Sequence, residues 1–120
     1  MLDYILGLAE KISFEANKLS TKDKDLIFDQ VSFALEQTRA HISSTRKNDT
    51  DKSSTILSNI WQRTARNIKG VKHPTVKQLV ETIEEKGKYW SDPDSYNKEQ
   101  FDKYTMRITQ VDSTLKKMCK

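Results

Sequence analysis

LDYILGLAEKISFEANKL, residues 2–19, and FDKYTMRITQVDSTLKKM, residues 101–118, carry an apolar side chain at every third or fourth position. This spacing keeps one stripe of an α-helix apolar, whereas it would scatter the same side chains over both faces of a β-strand. Both segments are therefore predicted to be helices, which we expect to pack along each other or against a second copy of the chain. The two rows are Leu2, Ile5, Ala9, Ile12, Ala16 and Leu19, and Phe101, Tyr104, Ile108, Val111, Leu115 and Met118.

A second helix is predicted from Thr21 to about Arg46. Ser20 and Asp23, three positions apart, have the form of a capping box at its start. A helix that is apolar over such a broad face contacts more than one neighbour, so we expect it to lie centrally in the fold. Its two adjoining stripes are Ile27, Val31, Ala34, Thr38 and His41, and Phe28, Leu35 and Ile42.

Two more helices are predicted in the second half of the chain. The polar run at 47–55 reads as a mobile loop, and Gly70 is predicted to be the C′ residue just beyond the end of the helix that follows it. A fourth helix follows VKHP, with Thr75 and Gln78 in capping-box relation. Residues 89–94 read as a turn, and Asn97 with Gln100 as the cap of the last helix. The buried row of the third helix is Leu57, Ile60, Trp61, Thr64, Ala65 and Ile68.

The chain as a whole is predicted to be a single all-α domain, residues 1–120, folded as an antiparallel bundle of four to five helices. Charged residues make up 32% of the chain against 35% hydrophobic, with a mean hydropathy of −0.78. That balance lets each helix be apolar on one stripe only. No strand periodicity and no internal repeat stands out.

Charge and composition exclude several classes of protein. Lysine and arginine exceed aspartate and glutamate by 21 to 17, with the two signs mixed along the chain. No stretch approaches the ~18 apolar residues of a membrane span, and the opening stretch lacks the features of a signal peptide. The single cysteine, Cys119, cannot form an internal disulfide. We therefore expect a cytoplasmic protein with no membrane association, stabilised by packing.

The usual signatures of catalysis and cofactor binding are weak or missing. His41 and His73 lie apart and neither has a ligand-type residue at helical i+4 spacing, so we expect no bound metal. Paired carboxylates fall in helical first turns and on charged faces, where they would be solvated. None of the three glycines belongs to a phosphate-binding loop. No cofactor is predicted.

The stretch RNIKGVKH, residues 66–73, has an arginine followed by a polar residue and then a histidine. This order resembles the signature of HEPN-domain ribonucleases, which are small helical bundles that often act as dimers. The resemblance implies that Arg66 stabilises phosphate charge, Asn67 positions a group, and His73 is the general acid or base of metal-independent RNA cleavage. Gly70 inside the stretch and Pro74 after it depart from the continuous helix of that family.

The middle of the chain is rich in basic residues. If the second and third helices lie side by side, Arg39 and Arg46 could join arginines of the third helix in one basic patch. Trp90, beside a helix end and a turn, is a candidate anchor for a partner. The candidate binding residues are Arg39, Arg46, Arg63, Arg66, Lys69 and Trp90.

The sequence is best interpreted as a non-enzymatic protein-interaction module, a small adaptor or regulator. It would dock a protein partner through the basic helical face or the aromatic turn. One alternative is a HEPN-like ribonuclease that uses Arg66, Asn67 and His73, and another is a helical protein that binds nucleic acid passively. Homodimerisation is a secondary expectation, motivated by the long apolar rows at the two ends.

Overall fold

The computed structural model describes residues 2–48, 55–87 and 98–118, with side chains described for 2–44, 55–85 and 106–118. These residues form a bundle of packed helices without a β-strand, which confirms the predicted fold class. None of the described helices is long and apolar enough to cross a membrane. The helices are α1 (Leu2–Phe14), α2 (Thr21–Asn48), α3 (Thr55–Ile68), α4 (Pro74–Gly87) and α5 (Lys98–Met118), with a 3₁₀ turn at Ala16–Lys18.

Helices α2 and α3 lie side by side and run in opposite directions. The Trp61 indole nitrogen donates to Thr38 Oγ1 at 2.9 Å, and Asn67 Nδ2 donates to Gln30 Oε1 at 2.8 Å. The later residue of α3 thus meets the earlier residue of α2, which is the antiparallel arrangement. The row of α2 that includes Gln30 and Thr38 therefore faces α3.

Another face of α2 packs against α5, again antiparallel. Ser32 Oγ donates to Asp112 Oδ1 at 3.0 Å, and Arg39 Nη2 donates to Thr109 Oγ1 at 3.1 Å. Because α2 contacts both α3 and α5, it has the two neighbours that its broad apolar face predicts.

The main packing contacts arrange the helices in a closed ring of order α1, α5, α2, α3, α4. Helix α5 therefore lies between α1 and α2, although α1 and α2 are consecutive in the chain. Arg107 Nε pairs with Asp3 Oδ1 at 2.6 Å across the α1–α5 contact. The short link at 15–20 holds the end of α1 close to the start of α2. Because α2 and α5 are antiparallel, the start of α2 lies near the end of α5, and so does the end of α1. Helices α1 and α5 therefore run in the same direction, which is an exception to the predicted antiparallel arrangement.

The predicted packing of the first helix along the last is confirmed. The described side chains of both apolar rows pack inside one chain, so they are not available to pair with a second copy. The side chains of Phe101 and Tyr104 lie outside the described residues. The expectation of homodimerisation therefore loses the support of the described part of these rows. The buried members of the two rows among the described side chains are Leu2, Ile5, Ala9, Ile12, Leu19, Ile108, Val111, Leu115 and Met118.

Trp61 is the largest fully buried side chain among the described residues, at 0% exposure, as its position in the apolar row of the third helix predicts. The hydroxyl of Thr38 accepts its indole N–H and itself donates to the carbonyl of Ala34 at 2.7 Å. A buried indole N–H without an acceptor would cost about 1–3 kcal/mol. This three-residue chain of hydrogen bonds removes that penalty from the centre of the core.

The first helix ends earlier than the predicted residue 19. Helix α1 stops at Phe14, and a 3₁₀ turn leads to Leu19, which is extended with φ −108° and ψ 146°. Ser20 Oγ accepts the backbone N–H of Asp23 at 3.1 Å, so the predicted Ser20 cap of α2 is confirmed, but the described residues show no return bond from the Asp23 carboxylate to complete a capping box. The two facts are connected, because a capping residue needs a non-helical backbone and the chain must leave the helix before it.

The other expectations about connections have mixed outcomes. Helix α3 ends at Ile68, as predicted, but Gly70 in the turn after it does not have the left-handed φ typical of a C-terminal glycine cap. The predicted loop at 47–55 is shorter, since α2 continues to Asn48 and α3 begins at Thr55. Its centre, the turn at 89–94 and the Asn97 cap lie outside the described residues.

Candidate interaction surface

The connection from α3 to α4 alternates between buried and exposed residues. Val71 and His73 are each 7% exposed, whereas Lys69 and Lys72 lie on the surface. The chain turns tightly here, since the His73 N–H donates to the Val71 carbonyl at 3.2 Å, and Val71 and His73 face the core while Lys72 faces solvent. The corner therefore has an apolar inner side and a basic outer side.

His73 caps α4 with its side chain. The backbone N–H of Thr75 donates to His73 Nδ1 at 3.2 Å, and the His73 carbonyl accepts the Lys77 N–H at 2.9 Å. Pro74 then occupies the first helical position, where its missing N–H costs nothing. The predicted capping role of Thr75 with Gln78 is therefore wrong, because Thr75 lies inside the helix that His73 caps.

The His73 ring is turned toward the link between α1 and α2. Its side chain is 5% exposed, and Nε2 lies 3.4 Å from Glu15 Oε2. Nε2 forms no hydrogen bond with the described residues, so the contact with Glu15 is close without hydrogen-bond geometry. Because Nδ1 accepts a hydrogen bond, the neutral ring carries its proton on Nε2.

A cavity of about 680 Å³, the corner cavity, opens beside this connection. Three exposed lysines border it, and none of them forms an ion pair with a described residue. Two buried valines and a proline supply an apolar floor. The lysines are Lys69, Lys72 and Lys77, and the floor residues are Val71, Pro74 and Val80.

The far side of the corner cavity is acidic. Glu81 and Glu84 line it, and both also line a neighbouring groove of about 530 Å³ between α3 and α4. Arg66 is exposed on the α3 side of that groove, opposite the glutamates. Positive and negative charge are therefore separated along α4.

The residues of the HEPN-like stretch point to different places. Arg66 lines the groove between α3 and α4, and His73 lines the corner cavity; neither space is lined by both residues. Asn67 donates to Gln30 on α2. The described structure therefore does not bring the three side chains into one cleft.

The arginines of the predicted basic patch on α2 and α3 also face different grooves. Arg39 lines a groove between α2 and α5 and bonds to Thr109 there, whereas Arg66 faces α4. Arg63 is exposed on α3. The side chain of Arg46 and the whole of Trp90 lie outside the described residues, so these two candidates stay predictions.

Of the candidate binding residues, Lys69 lines the corner cavity and Arg66 lies beside it. Reasoning from the sequence missed most of the other lining residues, namely Val71, Pro74, Val80, Glu81 and Glu84. A usable signal was present, because Lys77, Glu81 and Glu84 recur at helical spacing on one face of α4. The sequence did not indicate that the link between α3 and α4 lies beside this face of α4.

No protein-family model, no curated protein and no solved structure matches the chain. Within the described residues, no three histidine, cysteine, aspartate or glutamate side chains are grouped as a metal ion requires. The functional proposal therefore depends on the geometry of the corner between α3 and α4.

Proposed function

We propose that this protein is a non-enzymatic interaction module that docks a protein partner at the corner cavity. One observation carries the proposal: Lys69, Lys72 and Lys77, without ion-pair partners among the described residues, border a cavity with an apolar floor. Exposed charge of one sign speeds association with an oppositely charged partner. An apolar depression contributes binding energy once a partner side chain fills it.

The composition of the cavity favours a protein partner over a nucleic acid. Phosphate backbones bind surfaces that present positive charge along their length, but Glu81 and Glu84 lie in the same cavity as the lysines. The valine and proline floor would gain nothing from contact with phosphates. A polypeptide can offer both carboxylates and an apolar side chain.

The HEPN-like alternative has less support. A general acid or base must come within hydrogen-bonding reach of its substrate, whereas the side chain of His73 is 5% exposed and its Nδ1 caps α4. Arg66 lies in a separate groove. Both residues nevertheless allow a clean test, because Arg66 is exposed and His73→Asn keeps a side-chain acceptor at the cap.

The main test compares two triple variants of equal net charge. K69A/K72A/K77A removes the cavity lysines, and K11A/K22A/K117A removes three exposed lysines elsewhere. Fluorescence anisotropy would measure binding of a labelled peptide with an apolar centre and acidic flanks, and of a single-stranded RNA. We expect the cavity variant to lose about tenfold in peptide affinity, and the control less than twofold.

Three outcomes would contradict the proposal. The first is equal loss of peptide binding in both triple variants, which would mean that only net charge matters. The second is RNA cleavage in chelator by the wild-type protein that disappears in both R66A and H73N. RNA binding without peptide binding would instead support passive nucleic-acid binding.

A further inference from the structure

We infer that the partner segment is itself dipolar, with carboxylates at one end, an apolar anchor in the middle and a cation at the other end. This inference rests on the proposed function, because it specifies what occupies the corner cavity. Its basis is the order of charges along α4, where Lys77 precedes Glu81 and Glu84 on the cavity wall.

The basic end of the cavity suits carboxylates because three lysines meet there. Lys69 and Lys72 extend from the link and Lys77 from the first turn of α4. Carboxylate groups of the partner therefore belong at this end.

The acidic end would repel a segment that is acidic throughout. Glu81 lies one turn beyond Lys77 and Glu84 about two turns beyond, which places them roughly 6 and 10 Å along the helix axis. Arg66 faces the same glutamates from α3, but it forms no ion pair with them in the described structure. A partner cation can therefore approach these carboxylates.

The spacing limits the length of the matching segment. An extended peptide covers roughly 6–10 Å in two to three residues. The apolar anchor must then fall between the charged ends, where Val80 lies between Lys77 and Glu81 along α4. The partner that fits the corner cavity is therefore a short peptide segment in which an acidic, an apolar and a basic residue follow one another.

The test uses three labelled peptides with the same apolar centre, flanked by acid and base, by acid only, or by base only. Wild-type protein should bind the dipolar peptide about fivefold more tightly than the all-acidic peptide. The difference would come from two solvent-exposed charge contacts, between the basic end of the peptide and the carboxylates of Glu81 and Glu84. E81Q/E84Q should reduce that preference to less than twofold. E10Q/E36Q, which neutralises two exposed glutamates elsewhere, should leave the preference unchanged.

Equal affinity of wild-type protein for the dipolar and all-acidic peptides would overturn this inference and leave the proposed function standing. Failure of every peptide to bind, with or without RNA binding, would overturn both. Sedimentation velocity provides a further check on the occupant. A dimer that dissociates in K69A/K72A/K77A would show that a second copy of the chain fills the cavity, and would also overturn the inference.

Discussion

Replacement of His73 tests whether its side chain starts α4. His73→Ala removes the Nδ1 acceptor of the Thr75 N–H and most of a side chain that is 5% exposed. Loss of a helix cap costs about 1 kcal/mol, and the lost packing adds roughly 1–2 kcal/mol. His73→Asn loses part of the packing but keeps an oxygen acceptor in the preferred capping position. We therefore expect His73→Asn to be about 1 kcal/mol more stable than His73→Ala.

Urea unfolding followed by far-UV circular dichroism would measure this difference. At unchanged slope, a shift of the midpoint reports the change in the free energy of unfolding. Thermal unfolding should show a melting temperature for His73→Asn about 3–5 °C above that of His73→Ala. Hydrogen exchange at the Thr75 amide gives a local readout, since protection should be retained in His73→Asn and lost in His73→Ala.

Equal stability of the two variants would refute the reasoning, because it would mean that the bond to Nδ1 contributes nothing. Faster exchange throughout the bundle in both variants would assign His73 to core packing alone. The same pair separates structure from catalysis. A residue that only caps the helix tolerates asparagine, whereas a general acid or base does not.

Two further predictions concern stability. Thr38→Val keeps the shape of the side chain but leaves the buried indole N–H of Trp61 without its acceptor, so urea unfolding should show a loss of about 1–3 kcal/mol; a variant as stable as wild type would show that the indole finds another partner. Gly70→Ala should stabilise the protein by about 0.4–1 kcal/mol, because an added Cβ meets nothing within 4 Å and the backbone is not left-handed. A loss of stability in thermal unfolding would contradict this.

The sequence predicts the helices well because their signal is local. The apolar rows of α1 and α3 and the Ser20 cap depend on residues three or four positions apart, and the structure contains them, except that Ile60 in the row of α3 is only half-buried. The end of α1 was predicted too late, since Ala16 and Leu19 continue the apolar spacing. Helix α1 ends at Phe14 because the chain must leave the helical conformation before Ser20 can cap α2.

The candidate site was harder to predict because it depends on how each helix is rotated. Helices α2 and α3 do lie side by side, as the basic-patch hypothesis required, but the row of Thr38 faces α3 and turns Arg39 toward α5. His73 illustrates a second limit. Histidine is not among the preferred capping residues, so neither its role nor its burial could be read from the sequence.

The position of α5 between α1 and α2 has a consequence for synthesis on the ribosome. Helix α5 emerges after α1–α4, yet it packs against residues of α1 and α2 that are made some seventy residues or more earlier. Contacts so distant along the chain are slow to form. Until they form, the nascent polypeptide exposes a hydrophobic surface that chaperones recognise, so the bundle can close only after translation has passed α5.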